Sequence, residues 1–212
     1  MPKQTFLNLP QEKRTAFTDI ALDEFANHEY NTASISKIVE RAGIAKGSVY
    51  QYFEDKQDLF MYLLDVANRE MIGFIQRTAP PNPNADFFEL LRWQMSASVQ
   101  AAQTYPVHAR LARRAYSSPL PFREDILAEA KRVRQAHFQA MIAQGQAAGH
   151  LTPRLDPAVV SFVVQGIIND LGLFLESKFG ERAPDWLELP EVDEVFDQVI
   201  AILKCGVASK PD

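Results

Sequence analysis

Ser34-Ile35-Ser36-Lys37-Ile38-Val39-Glu40-Arg41-Ala42-Gly43-Ile44-Ala45-Lys46-Gly47-Ser48-Val49-Tyr50-Gln51-Tyr52-Phe53 is the stretch that decides the fold. Ser34 suits a helix N-cap, and Ile35, Ile38, Val39 and Ala42 then fall on one helical face. Gly43 stands where a helix end takes a left-handed residue. Only Ile44 and Ala45 separate it from a third helix near Lys46, whose apolar positions are Val49 and Phe53. Two short helices joined by a glycine-containing turn make a helix-turn-helix, a unit that places its second helix in the DNA major groove.

The outward positions of that second helix suit DNA. Lys46, Gly47, Ser48, Tyr50, Gln51 and Tyr52 are small, polar or hydroxyl-bearing, and none is acidic. Lysine meets phosphates or guanine edges, glutamine pairs with adenine, and tyrosine hydroxyls reach phosphates. Gly47 lets the backbone approach closely. Ser34 and Lys56 stand at helix starts, where free N–H groups favour a phosphate. Which of these side chains meet bases and which meet phosphates stays open at this point. Bulk charge does not carry the reading. The chain has a formal net charge of −5. Within residues 1–60, seven Lys/Arg (3, 13, 14, 37, 41, 46, 56) face nine Asp/Glu (12, 19, 23, 24, 29, 40, 54, 55, 58). Local placement has to do the work, because screening limits phosphate attraction to about 8–10 Å.

Around the motif, nearly every segment has helical periodicity. Phe17, Ile20, Ala21 and Phe25 predict a helix over residues 10–28 that starts at Pro10 and turns Asp19, Asp23 and Glu24 away from the core. Leu59, Phe60, Leu63, Ala67, Met71 and Phe74 predict another over 56–77. Three prolines in residues 79–84 stop it and mark a boundary. Further helices are expected at 85–104, 107–117, 122–148, 156–178 and 190–206. The reading is an all-α chain: a helix-turn-helix domain at 8–55, a connecting helix at 56–77 and a helical domain at 78–212.

The run from Phe17 to Leu64 resembles the N-terminal domain of the tetracycline-repressor (TetR) family. Ile20-Ala21-Leu22-Asp23-Glu24-Phe25-Ala26 is similar to its first helix, and Ser34-Ile35-Ser36-Lys37-Ile38 to its second. Ala42-Gly43-Ile44-Ala45 matches its turn. Lys46-Gly47-Ser48-Val49-Tyr50-Gln51-Tyr52-Phe53 matches its Lys-Gly-x-x-Tyr-x-x-Phe helix, and Lys56 and Leu59-Phe60 follow in register. Glu29 departs from a frequent glycine, and Ala45 from a frequent capping serine whose loss costs about 1 kcal/mol. The resemblance implies a ligand-responsive regulator of transcription, a repressor released from a pseudo-palindromic operator, that contacts DNA through Ser34, Lys46, Gly47, Ser48, Tyr50, Gln51, Tyr52 and Lys56. The sign of regulation depends on where the operator lies.

The C-terminal part matches the family more loosely. The helix from Val159 is apolar nearly all round, so one side is expected to face its own core and the other a second copy. Phe162, Gly166, Asn169, Val195, Val199 and Ile202 are the expected positions of a homodimer interface. Phe88, Trp93, His108, Tyr116, His137, Met141, Phe162 and Gln165 are candidate contacts for a small apolar or aromatic effector.

Competing classes find less support. The four histidines form no His-x-x-x-His pair, and no nucleophile, phosphate-loop or dinucleotide motif occurs, so neither catalysis nor a cofactor or metal is expected. The single cysteine, Cys205, excludes an internal disulfide. A cytoplasmic protein is the simplest expectation, because no stretch is read as reaching the roughly 18 apolar residues of a membrane span and the N-terminus has no signal-peptide run. A helical adaptor or ligand-binding protein with the same fold but no operator is the alternative.

Overall fold

The computed structural model describes residues 1–78, 80, 82, 84–117, 119–122, 124, 138–180 and 186–207. Among these there is no strand, and the order is α1 (Gln4–Leu7), α2 (Gln11–Asn27), α3 (Ile35–Ala42), α4 (Lys46–Tyr52), α5 (Lys56–Arg77), α6 (Phe87–Thr104), α7 (Pro106–Ser117), α8 (138–147), α9 (Pro157–Phe179) and α10 (Pro190–Val207), with a 3₁₀ turn at Trp186–Glu188. The all-α reading holds. The expected helix at 122–148 is described only over 138–147; its central residues lie outside the described set.

Helix ends follow local chemistry. The Ser34 hydroxyl accepts from Lys37 N at 3.3 Å and starts α3. Gly43, at φ +65°, ends it, with Gly43 N donating to Glu40 O and Ile44 N to Val39 O. Asp55 and Asp58 start α5: Asp58 N donates to Asp55 Oδ1 at 2.7 Å, and Glu54 N to Asp58 Oδ2 at 3.1 Å. Asp156 caps α9 through Ala158 N, with Pro157 in its first turn.

The chain forms two compact units, Met1–Gly73 with Gln103–Leu127, and Phe74–Ala102 with Ala128–Asp212. The N-terminal unit is larger than the 8–55 segment read from the motif. It takes in most of α5 and also α7, which packs against α2. Its core joins Phe17, Leu22 and Phe25 of α2, Ile38 of α3, Val49 of α4 with Phe53 just past its end, Leu59, Phe60 and Leu63 of α5, and Leu111 and Ala115 of α7. Phe6 of α1 is fully buried in the same cluster, although the sequence pattern started no helix before residue 10.

The C-terminal unit packs Phe87, Leu91 and Met95 of α6 with Ile142 of α8, Val160, Val164, Leu171 and Leu175 of α9, and Phe196 and Leu203 of α10. Arg92 ties α6 to α10, donating to Asp197 at 2.6 Å and Asp193 at 2.9 Å and lying over the Phe196 ring. By length and composition α9 is apolar enough to cross a membrane, which corrects the expectation that no stretch is. Ser161, Gln165, Asn169 and Asp170 interrupt its apolar run and hid it from a count of consecutive residues. One side of α9 is buried in the core; the other carries Val159, Phe162, Val163, Leu173 and Phe174, all exposed, with Phe162 at 78%. On α10, Ile202 is 72% exposed and Val199 only partly buried, whereas Val195 is buried and faces inward. Val195 therefore leaves the expected interface.

An alanine at position 43 would meet no neighbouring atom, so its cost is the left-handed backbone alone. Gly43→Ala is expected to lower stability by about 1 kcal/mol, seen as a lower urea midpoint with an unchanged slope.

Candidate nucleic-acid interface

The site is built on α4, whose two inward residues hold it. Val49 is 1% exposed and Phe53, just past its end, is fully buried. The Phe53 ring lies 6.1 Å from Phe17, 5.0 Å from Phe6 and 5.4 Å from Tyr62. That anchorage turns Lys46, Gly47, Tyr50 and Gln51 to solvent, with Ser48 partly so. A Cβ at Gly47 would touch nothing. Ala45 provides no side-chain cap, and Ser48 N donates to Ala45 O at 2.9 Å instead.

Two expected contacts are placed otherwise. The Tyr52 ring packs against Phe6 at 5.6 Å and Phe17 at 6.1 Å, so its body serves the core. Lys56 folds inward: its ammonium lies 4.8 Å from the Tyr30 ring and 5.9 Å from the Phe25 ring, and donates to Asn31 O at 3.4 Å. Burial lowers its pKa below the usual lysine value, and the charge of Glu24 works in the opposite direction. The first turn of α5 already serves Asp55 and Asp58, so that helix start is not an open phosphate site. Ser34 spends its hydroxyl acceptor on Lys37 N, and its own N–H donates to Glu24 Oε1 at 2.9 Å. Glu24 is 3% exposed rather than turned to solvent, because it closes the start of α3.

The charge pattern around α4 is local. Glu54 pairs with Lys3 at 2.8 Å, and Asp23 with Arg41 at 2.8 Å. Among the described residues, Lys37 and Lys46 are exposed and carry no ion pair. Lys37, in the first turn of α3, is a cation that the motif reading passed over.

The shape and the polar face match a known type. The sequence profile of "Bacterial regulatory proteins, tetR family" matches residues 17–63. A TetR family transcriptional regulator from Chloroflexus aurantiacus J-10-FL is 35% identical with a TM-score of 0.82, over 99% of this chain and 100% of that one. This chain belongs to the TetR family. It is thus a transcriptional regulator of the helix-turn-helix type. It is also similar to the probable acrEF/envCD operon repressor of Escherichia coli K12, at 24% identity over 74% of this chain and 73% of that protein. The transcriptional regulator FadR of Bacillus subtilis, solved in complex with stearoyl-CoA, shares the fold at 21% identity and a TM-score of 0.69, over 91% of this chain and 98% of that one.

The residues read as effector contacts fall in both compact units. In the N-terminal unit, half-buried His108 stands 5.5 Å from the Tyr105 ring with its pKa lowered by burial, and the Tyr116 hydroxyl accepts from Asn68 at 3.4 Å. In the C-terminal unit, Phe88 is core, edge-on to Phe87 at 5.2 Å and under the Lys204 ammonium. Met141 packs against the same core, and Gln165 donates to Ser161 Oγ at 2.7 Å. Phe162 lies on the exposed face of α9 instead of lining a cavity within the single chain. His137 lies outside the described residues. Trp93 carries a buried Nε1–H with no hydrogen-bond partner.

Lys46→Ala with Tyr50→Ala is expected to weaken DNA binding by at least tenfold and to leave the oligomeric mass unchanged. Lys56→Met, by contrast, is expected to lower the unfolding midpoint while leaving the slope of log affinity against log salt as in the parent, because its ammonium is engaged by the Tyr30 ring and Asn31 O. Titrations at three salt concentrations separate the two effects.

Proposed function

We propose that this protein is a homodimeric repressor that binds a pseudo-palindromic operator and leaves it when an apolar effector binds the C-terminal unit. The observation that carries the reading is the polar, acid-free outer face of α4, with Lys46, Tyr50 and Gln51 exposed on a helix pinned by Val49 and Phe53. Ser48 and Gly47 complete that face, and Lys37 and Ser34 flank it.

The apolar surface that α9 and α10 leave open supports dimerisation through these two helices. Val159, Phe162, Val163, Phe174 and Ile202 are a costly set to leave in water. Side chains at Gly166 and Gly172 would meet nothing in the single chain, which leaves room for close helix approach. Gln165 and Asn169 supply polar groups on or beside that face. A two-fold axis there gives each operator half-site one α4, about 34–36 Å or a multiple apart.

Long-chain acyl thioesters are the effector class we favour. The fold is shared with a FadR solved with stearoyl-CoA. Within the C-terminal unit, Trp93 offers a buried, unmatched donor that a carbonyl acceptor would satisfy. α5 runs from the DNA-binding unit into the C-terminal unit, so a shift along it would reach the α3–α4 pair. Such an effector must bind the DNA-released state more tightly than the DNA-bound one.

Phe162→Glu with Ile202→Glu is expected to convert the dimer to a folded monomer in sedimentation and to cut operator affinity by at least a hundredfold. A dimer of unchanged mass would refute the interface. Stearoyl-CoA at micromolar concentration is expected to release the parent protein from its operator, and Trp93→Phe to raise the concentration required. Release by no acyl thioester of any chain length would reject that effector class.

A further inference from the structure

Helix α4 is seven residues long and ends without a glycine: Phe53, its C-cap, is in extended conformation at φ −130°. An α-helix leaves its last four carbonyls without intrahelical partners. Here they are those of Val49, Tyr50, Gln51 and Tyr52. The first accepts from Phe53 N at 2.8 Å. The other three are met by the N-terminal segment: Lys3 Nζ donates to Tyr50 O at 3.1 Å, the Thr5 hydroxyl to Gln51 O, and Lys3 N to Tyr52 O at 2.7 Å. The segment is fastened in turn by Phe6, fully buried, with ring contacts to Phe53 at 5.0 Å, Tyr62 at 5.4 Å, Tyr52 at 5.6 Å and Phe17 at 5.7 Å.

We infer that residues 3–6 form a C-cap for the recognition helix, contributed by a distant part of the chain, and that Lys3 and Thr5 are positioning residues for DNA binding although they need not touch DNA. Isolated helices shorter than about 12–15 residues are marginal in water. α4 owes its entry to the Gly43 turn and its middle to Val49. Its last turn, which carries Tyr50 and Gln51, has its free carbonyls tied to the arm. Without those bonds the last turn frays, and the side chains meant to dock in the groove lose their fixed direction. The Lys3–Glu54 pair adds a second function to the same lysine: it removes an acid next to the helix end.

The consequence for operator affinity rests on the proposed DNA-binding role of α4; the capping itself does not, and the test reads each separately. Thr5→Val keeps shape and removes the hydroxyl donor. Lys3→Pro removes both Lys3 donors at a residue whose φ of −72° proline accepts. Thr5→Ser restores the donor. In full-length protein, hydrogen exchange of the α4 amides is expected to speed up by at least tenfold in the Lys3→Pro, Thr5→Val double variant, because the last-turn carbonyls lose their partners. α2 and α3 amides should stay within twofold of the parent, and Thr5→Ser should match the parent. Operator affinity should fall about tenfold at unchanged dimer mass. Parental α4 exchange, or an equal rise across α2, α3 and α4, overturns the cap. Faster α4 exchange with parental operator affinity upholds the cap but overturns its positioning role. If the parent itself binds no specific DNA, the proposed operator reading fails while the exchange result still decides the cap.

Discussion

A seven-residue helix has to present a rigid chemical surface, and it cannot hold itself in shape. Everything around α4 answers that constraint. Gly43 in left-handed conformation sets where it begins. Val49 and Phe53 bind its inner side to an aromatic cluster reaching Phe6, Phe17 and Tyr62. The arm occupies its last carbonyls. Side-chain direction on the outer face is then a consequence of packing on the inner one, and a core change at Phe17 or Phe53 would act on DNA binding through geometry alone.

The electrostatics follow the same economy. The chain is acidic at −5, which argues against attraction of DNA by bulk charge. Near the motif, however, several acids are engaged. Glu24 is buried against Ser34 N, Glu54 lies on Lys3, Asp23 on Arg41, and Asp55 with Asp58 cap α5. Lys37 and Lys46 are left to act over the short range that screening permits. Lys56, by contrast, is spent on the Tyr30 ring and the Glu24 charge, where it holds α5 against the α2–α3 connection.

Helix limits were legible in the sequence wherever one residue type dictates the local backbone: Pro10, Ser34 and Gly43. The outer face of α4 was legible because Val49 and Phe53 fix the helical phase. What escaped had no such signature. Phe6 belongs to a single turn too short for periodicity to show. Glu24, Tyr52 and Lys56 sit at positions whose residue type suggests solvent, and the contacts that draw them inward come from partners ten or more residues away along the chain. On α10 apolar residues fall on more than one face, so the pattern could not assign Val195 to the inner side and Ile202 to the outer. The order of the effector candidates along the sequence likewise does not determine which side chains meet in space.

The central claim is that the exposed face of α4 reads a defined site. The most direct measurement is selection of fragments from the source genome by the purified protein, followed by footprinting of the best fragments at 150 mM salt. The account predicts protection of one pseudo-palindromic site with two half-sites related by a two-fold axis, resistant to excess unrelated DNA. Uniform, sequence-independent protection that disappears with modest added salt would contradict it.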